Sequence, residues 1–373
     1  MQIINANAFL NGAFVPHTQV LLRDGKIASI GTDLAASNDD ILDLQGDYLL
    51  PGLVDVHIHA FKGQDTMNGE AAVRHMSREL LKFGVAAFLP TTMSASAEDT
   101  QKALCGIKAV MDKPEPHGAL VLGAHMEAPF LQPSKAGAQL KAFFTPPTED
   151  GWKRYVGEYE SVVRLITLAP ELEGAMPFIR SLTQRGIAVS LGHTDASAET
   201  VHQAADHGAC HVTHTFNAQS PLSHREPGVP GAALVDDRLA CELICDGIHL
   251  HPDIVRLALR CKGSGLAVAI TDAMEAAGMP DGQYQLGGQA VFVKDGAARL
   301  ADGTLAGSTL TLTRALENLL AFGALPEDAA LMVTKTPAKS IGNHTLGDLT
   351  VIGAPAILAR FRPDWTFVET VVG

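Results

Sequence analysis

The sequence predicts an α/β protein: a (β/α)8 TIM barrel with a small β-sandwich domain formed by the N- and C-terminal segments. Strand-like and helix-like segments alternate through the middle of the chain, as they do in the βα units of a parallel sheet. Short strand-like segments, without a helix of useful length, occupy both ends. The chain has 373 residues, more than the ~250 of a single barrel, which leaves room for a smaller second domain.

The predicted small domain comprises residues 1–50 and 346–373, and the predicted catalytic barrel comprises residues 51–345. Apolar runs bounded by turn residues predict eight barrel strands, at residues 53–59, 85–89, 120–126, 162–168, 187–191, 211–213, 239–244 and 266–271. We expect an inserted hairpin at 284–300 and two closing helices, at 310–322 and 327–340, after the eighth strand.

The first predicted barrel strand carries three polar side chains on one face. Residues 53–59 alternate between apolar and polar, with Asp55, His57 and His59 on one parity. A strand has a side-chain period of two, so these three groups share a face. The histidines are then expected to point inward at the C-terminal end of the strand, where barrel enzymes carry their chemistry. Two such imidazoles can hold one metal ion, but the pair is weak evidence unless other strands supply matching ligands.

Five further strands end in groups of the same kind: Glu127, His193, His214, His249 and Asp272. Each has an ordinary structural explanation when it is taken alone. A histidine can be a hydrogen-bonded core residue, an aspartate can cap a helix, and a glutamate can lie in a solvated turn. Because all five would have to be explained in this way on one face of the barrel, a metal centre is the favoured interpretation.

Imidazole and carboxylate ligands without thiolate suit Zn(II), Fe(II), Mn(II) or Co(II), which lower the pKa of bound water to about 7. Glu127, His193 and His214 predict one three-ligand site with an open position. His57 and His59 are candidates for a second site with Glu127 as the bridge, so one or two ions are expected. Asp272 is the predicted general base.

A phosphate site is predicted beyond the same edge. Backbone N–H groups near Asn217 and Ala218, with Arg225 and His249 close by, suit a phosphate, since a guanidinium group matches phosphate oxygens. A surface ion pair of Arg225 with a neighbouring carboxylate is the alternative, and the spacing does not decide between them.

Composition and charge make several classes of partner unlikely and indicate the cellular compartment. A net charge of −13 disfavours nucleic acid and anionic membranes. No apolar run is long enough to cross a bilayer and no secretory leader is evident, so we expect a cytoplasmic protein. The five cysteines contain no Cys-x-x-Cys pair, which predicts reduced thiols: Cys105, Cys210, Cys241, Cys245 and Cys261.

The motifs together resemble a known family. The opening Pro51-Gly52-x-x-Asp55-x-His57-x-His59 is similar to that of the amidohydrolase superfamily. The further motifs resemble the N-acetylglucosamine-6-phosphate deacetylase family and its close relatives that act on N-acetylgalactosamine 6-phosphate. They are Met126-Glu127-Ala128-Pro129-Phe130, Gly192-His193-Thr194, His214-x-x-Asn217-Ala218, Arg225-Glu226-Pro227-Gly228, Asp246-Gly247-x-His249, Thr271-Asp272-Ala273-Met274 and Leu305-Ala306-Gly307-Ser308.

The resemblance covers essentially the whole chain and implies a metal-dependent cytoplasmic homodimer that hydrolyses the acetamide of a phosphorylated amino sugar. It implies metal ligands at Glu127, His193 and His214 and a base at Asp272. The substrate contacts that it implies are Ala138, Gln139, Asn217, Ala218, Arg225, His249, Leu305, Ala306 and Gly307.

One position departs from the family pattern. Gln139 stands where the family usually has a substrate-contacting histidine, and an amide cannot carry a proton. A sugar-phosphate-binding protein without turnover is therefore one alternative. Another is a cyclic amide hydrolase, but many of these bridge two metals with a carboxylated lysine after the fourth strand, and residues 164–171 contain no lysine.

Overall fold

Five strands lie in the described part of residues 1–51. The structure is a computed structural model that describes residues 1–35 and 40–373. The five strands are β1 (Gln2–Leu10), β2 (Ala13–Arg23), β3 (Lys26–Gly31), β4 (Ile41–Asp43) and β5 (Tyr48–Pro51). β1 pairs with β2 in antiparallel fashion and with β4 and β5 in parallel. The Asp24-Gly25 turn joins β2 to β3, and both of its residues have positive φ angles, as tight hairpins require.

The strands of the barrel region follow. They are β6 (Leu53–Ile58), β7 (Ala60–Phe61), β8 (Gln64–Asp65), β9 (Val85–Thr92), β10 (Leu120–Val121), β11 (Ala124–Met126), β12 (Val163–Leu168), β13 (Ala188–Leu191), β14 (His211–Val212), β15 (Ala240–Ile244) and β16 (Ala267–Ile270). Eight of them pair in parallel in the order β6-β9-β11-β12-β13-β14-β15-β16. A parallel bridge between Ile58 and Ala273 returns from the segment after β16 to β6 and closes the barrel. The predicted fold class is confirmed.

Helices connect the strands on the outside of the barrel. They are α1 (Glu70–Leu81), α2 (Ala97–Asp112), α3 (Glu149–Val156), α4 (Ala175–Gln184), α5 (Ala198–Asp206), α6 (Gly228–Val235) and α7 (Pro252–Lys262). Local sequence explains where several begin: the hydroxyls of Ser96 and Ser197 accept hydrogen bonds from the first turns of α2 and α5. Within the described residues, no helix is both long and apolar enough to span a membrane.

The segment after β16 differs in detail from the predicted hairpin. It forms three antiparallel strands, β17 (Gly282–Leu286), β18 (Gln289–Lys294) and β19 (Ala297–Arg299), before α8 (Leu312–Ala321), α9 (Pro326–Val333) and α10 (Lys335–Ser340). The insert packs an apolar cluster that includes Leu286 and Val291 against Met93 and Met274 beside the barrel mouth. The insert therefore covers one side of the mouth, a tertiary contact that its hairpin pattern does not reveal.

The chain ends in β20 (Ile357–Phe361) and β21 (Phe367–Val372), which extend the first sheet. The resulting seven-stranded sheet has the order β21-β20-β5-β1-β2-β3, with β4 beside β1. Its own buried apolar cluster includes Ile3, Val20, Leu49 and Leu358. Both ends of the chain thus share one small sheet, as expected, while the exact domain boundaries at residues 50 and 345 stay a prediction.

Candidate metal centre and substrate pocket

Six polar side chains meet in the mouth of the barrel, and all are buried: His57, His59, Glu127, His193, His214 and Asp272. Three of them lie just beyond a strand in left-handed backbone conformations, with φ of 47° at His193, 29° at His214 and 49° at Asp272. Residues other than glycine rarely adopt such angles, and the surrounding structure must hold them there. The ends of β13, β14 and β16 are therefore constrained turns that present these side chains to the mouth.

A glycine sets the spacing between two of these strand ends. A Cβ atom on Gly192 would lie 2.6 Å from Cβ of Thr213 and 2.8 Å from Cγ2 of Thr167. Only glycine lets the end of β13 approach its two neighbouring strands this closely. This close approach places the following residue, His193, beside His214.

The first metal-capable group is Glu127, His193 and His214. Oε1 of Glu127 lies 3.2 Å from Nε2 of His193 and 3.0 Å from Nε2 of His214, and the two nitrogens are 3.1 Å apart. Ligand bonds of about 2.0–2.1 Å in tetrahedral geometry separate ligand atoms by about 3.3 Å. The triangle therefore has the size and the donor types that a single divalent cation requires.

The second metal-capable group is His57, His59 and the same Glu127. The Nε2 atoms of the two histidines are 3.4 Å apart, and they lie 3.4 Å and 3.2 Å from Oε1 and Oε2 of Glu127, respectively. Oδ1 of Asp272 lies 3.5 Å from Nε2 of His57 and 3.2 Å from Nε2 of His59. Glu127 thus contacts both groups, which is the arrangement of a bridging carboxylate.

The electrostatics of the centre favour bound positive charge. Burial alone would lower the pKa of His59, but hydrogen bonds with Asp272 and Glu127 raise it to about 9. Burial opposes charge on His57 as well, yet the negative charges of Glu127 and Asp272 raise its pKa well above the usual value. A cation that binds these ring nitrogens must displace their protons, so cation binding is expected to release protons.

A cavity of about 330 Å³ opens beside the two groups. Its wall includes His59, Glu127, His193, His214 and Asp272, and most of the predicted substrate contacts: Ala138, Gln139, Asn217, Ala218, His249, Leu305 and Gly307. Nδ1 of His249 lies 2.7 Å from Oδ2 of Asp246, so its Nε2 is the ring atom left for a ligand. Seven of the predicted substrate contacts therefore lie around one cavity in the folded protein.

Two predicted substrate contacts lie outside this wall. Arg225 is exposed on the segment before α6. Ala306 is buried between Leu305 and Gly307, which do line the cavity. Their substrate contacts stay a prediction. Six residues of the cavity wall were not predicted from the sequence: Met93, Ser134, Lys135, Gly137, Leu286 and Thr304. Ser134 and Lys135 precede Ala138 in one loop, a proximity that could have signalled them, whereas Met93 and Leu286 carry no local signal of a site.

Gln139 lines the cavity, but its amide group already has partners. Its Oε1 accepts a hydrogen bond from the backbone N–H of Ser94 at 2.7 Å, which fixes the orientation of the amide. Its Nε2 therefore faces and donates to Oε2 of Glu127, and it also lies 3.5 Å from Sδ of Met93. The substrate contact predicted for Gln139 stays untested, while its hydrogen bond to the bridging carboxylate is a feature that the sequence did not reveal.

This contact predicts an effect on cation affinity. Gln139→Leu removes the hydrogen bond to Glu127 at similar volume, and we expect Zn²⁺ affinity to fall about 10-fold, as is typical when a group that orients a ligand is lost. Gln132→Leu is the matched control, because Gln132 lies in the same loop and donates to Glu171 instead of Glu127. Zinc titrations of the two purified variants would measure the difference, and equal affinities would contradict the prediction.

Comparison with known proteins identifies the class of this fold and site. A model of the amidohydrolase family matches residues 48–371. The chain belongs to the amidohydrolase family. Within it, the relatives are deacetylases of N-acetylhexosamine 6-phosphates. The chain is 36% identical to N-acetylglucosamine-6-phosphate deacetylase of Bacillus subtilis, over 99% of this chain and 93% of the relative.

Two further comparisons extend this result. The chain is 37% identical to N-acetylgalactosamine-6-phosphate deacetylase of Escherichia coli O157:H7, over 89% of this chain and 87% of the relative. Its fold matches a crystal structure of a mutant Mycobacterium smegmatis N-acetyl-D-glucosamine-6-phosphate deacetylase in complex with N-acetyl-D-glucosamine-6-phosphate. That match has a TM-score of 0.91 and 28% identity and covers 100% of this chain and 97% of the other.

Proposed function

We propose that this protein hydrolyses the acetamide of N-acetylglucosamine 6-phosphate to glucosamine 6-phosphate and acetate. The observation that carries the proposal is that Asp272 and ligands from both metal-capable groups line one cavity; these ligands are His59, Glu127, His193 and His214. Such an arrangement offers ligands for a cation, a base and a substrate-sized space at the C-terminal end of a barrel, where enzymes of this fold act. The deacetylase relatives, which match most of the chain, support the same substrate class.

The donor set supports a divalent metal cofactor. Glu127, His193 and His214 would hold one ion, and His57 and His59 would hold a second, with Glu127 between them. Nitrogen and carboxylate donors without thiolate suit zinc, iron, manganese or cobalt. When bound, such an ion supplies Lewis acidity that polarises an amide carbonyl and lowers the pKa of water.

Asp272 is the proposed general base and acid. Burial would raise the pKa of its carboxyl group, but the charge of His57 and a hydrogen bond to His59 lower it below the usual value. Asp272 is therefore a carboxylate that can accept a proton from water on Oδ1 or Oδ2. The water oxygen forms a bond to the carbonyl carbon of the acetamide as Asp272 takes the proton. Return of that proton to the nitrogen accompanies cleavage of the C–N bond and releases the amine and acetate.

The cavity wall offers polar groups for the sugar phosphate. We propose that His249 and the turn of Asn217 and Ala218 bind the substrate, together with Leu305 and Gly307 across the cavity. Ala218 has a left-handed backbone (φ 51°), which contributes to the tight turn after β14. Arg225 remains a proposed phosphate contact on the strength of the sequence resemblance.

The second candidate reaction is deacetylation of N-acetylgalactosamine 6-phosphate. The relative named for this activity is 37% identical to this chain, and the Bacillus subtilis relative named for the glucosamine epimer is 36% identical. We also propose, from the family resemblance, that the protein acts in the cytoplasm as a homodimer.

A turnover comparison tests the proposal. Metal-loaded protein is incubated with the 6-phosphates of N-acetylglucosamine and N-acetylgalactosamine, and acetate release and metal content are measured on the same sample. We expect release from both, with the higher kcat/KM for the glucosamine epimer. N-Acetylglucosamine without phosphate is the control and should have a much lower kcat/KM. No acetate from either phosphate, with metal bound, would overturn the proposal in favour of a binding protein.

A further inference from the structure

A buried carboxylate outside the predicted ligand set lies behind His57. Glu242, in β15, has no solvent exposure, and its Oε2 lies 3.0 Å from Nδ1 of His57. Its Oε1 lies 3.4 Å from Nδ1 of His211 in β14. Nε2 of His211 in turn lies 3.1 Å from the carbonyl oxygen of Ser340 in α10. A series of polar contacts thus runs from Ser340 in α10 through His211 and Glu242 to His57, a proposed metal ligand.

Glu242 is the one charged residue in a strand that is otherwise buried and apolar. The neighbouring residues of β15 are buried and apolar, among them Cys241, Leu243 and Ile244. A buried carboxylate costs stability unless it is paired, and an apolar side chain would pack a barrel interior without that cost. Glu242 meets this requirement through ring nitrogens: its Oε2 faces Nδ1 of His57 and its Oε1 faces Nδ1 of His211, so the carboxylate is placed to accept a hydrogen bond from the ring of His57.

We propose that Glu242 is a positioning residue that fixes the ring of His57 for the second metal-capable group. A carboxylate at Nδ1 holds the ring proton there and leaves the lone pair on Nε2 for the cation. Nε2 is the atom that lies 3.4 Å from both His59 and Glu127. The inference rests on the proposed metal-dependent function, and it assigns a role to Glu242 that the ligand set alone does not contain.

Loss of Glu242 should weaken binding of the ion held by His57 and His59 more than binding of the ion held by His193 and His214. Glu242 contacts the side chain of His57, whereas it reaches the first group only through the backbone N–H of His214, at 3.3 Å. Loss of the carboxylate frees the ring of His57 to rotate and to carry its proton on either nitrogen. The backbone of His214 would keep the hydrogen bond that its carbonyl oxygen accepts from the N–H of Asn217 at 2.9 Å, so its ring is expected to stay in place.

Zinc titration of the full-length protein tests this role without an activity assay. The parent protein, stripped of metal, is titrated with Zn²⁺ alone against a competing chelator and is expected to bind two ions. Glu242→Met removes the carboxylate at similar volume and should weaken the second ion about 10–100-fold, with the first changed by less than about threefold. Glu242→Gln keeps an acceptor for Nδ1 of His57 and should show a smaller loss.

Asp55→Asn is the matched control. Asp55 is an equally buried carboxylate on β6, but it accepts hydrogen bonds from Thr271 and from the backbone of His57, not from its ring. Both zinc affinities of this variant should remain near those of the parent. An equal loss in Asp55→Asn would show that removing any buried carboxylate here is enough, and it would overturn the specific role of Glu242.

The other outcomes also decide the question. Unchanged binding of the second ion in Glu242→Met, equal weakening of both ions, or a parent protein that binds only one ion would overturn the role. If Glu242→Met does not fold, as judged by circular dichroism, unchanged second-ion affinity in Glu242→Gln would overturn it instead. A parent protein that binds two ions but releases no acetate would contradict the proposed reaction, while the zinc comparison would still decide the role of Glu242.

Discussion

Asp272→Asn should lower kcat by about 10²–10⁴-fold, the range typical of a lost general acid–base group. Asparagine keeps the shape of the side chain and an oxygen near His59, but it cannot accept and return a proton. Substrate binding should change much less, so KM is expected to stay within a few-fold of the parent value. Steady-state acetate release on metal-loaded protein measures both constants.

A neighbouring carboxylate provides the control for this experiment. Glu275 lies three residues after Asp272, is only partly buried and accepts a hydrogen bond from the backbone of Gln285. It belongs to neither metal-capable group and does not line the cavity. Glu275→Gln should therefore keep the parent kcat. Full activity in Asp272→Asn would end the proposed role of Asp272.

Glu127→Ala should remove both metal ions and lower activity by at least ~10³-fold, because the several kcal/mol of stabilisation that a catalytic metal supplies would be lost. The reason is geometric: the two oxygens of Glu127 lie 3.0–3.4 Å from the four ring nitrogens of the two groups. Elemental analysis of the purified variant should find less than one equivalent of metal. Circular dichroism would show whether the barrel remains folded.

His59→Ala is the comparison that distinguishes a bridge from an ordinary ligand. His59 belongs to one metal-capable group only, so its removal should cost one equivalent of metal and leave the group of His193 and His214 occupied. If Glu127→Ala instead keeps two equivalents, or loses no more metal than His59→Ala, Glu127 does not join the two sites.

Much of the barrel was predictable because its signals are local. Apolar runs, turn residues and helix caps lie within a few positions of one another, and the predicted first strand at 53–59 is observed as Leu53–Ile58. The strands of a parallel barrel all end at the same edge, so chemistry-bearing residues at strand ends can be expected to meet. For this reason Glu127, His193 and His214 could be assigned to one metal site from the sequence alone.

Other features carry no local signal. Glu242 stands within an apolar strand, where nothing indicates that it contacts His57, 185 residues earlier in the chain. The orientation of Gln139 depends on the backbone of Ser94, 45 residues away. The insert packs in one apolar cluster with Met93 and Met274, and its Leu286 lines the cavity, whereas the insert's own pattern predicts only a hairpin. These contacts join residues that are far apart in the chain, so they exist only once the barrel has closed.

The sequence by itself determined the α/β barrel, the small sheet shared by both termini and the residue types at each strand end, because side-chain periodicity and turn chemistry act over short distances. Only the tertiary structure decided which atoms of those residues face one another, that Gln139 donates a hydrogen bond to Glu127 and that Glu242 contacts the ring of His57. The physical reason is that ligand geometry depends on the closure of the barrel to within fractions of an ångström, and closure is a property of all eight strands together.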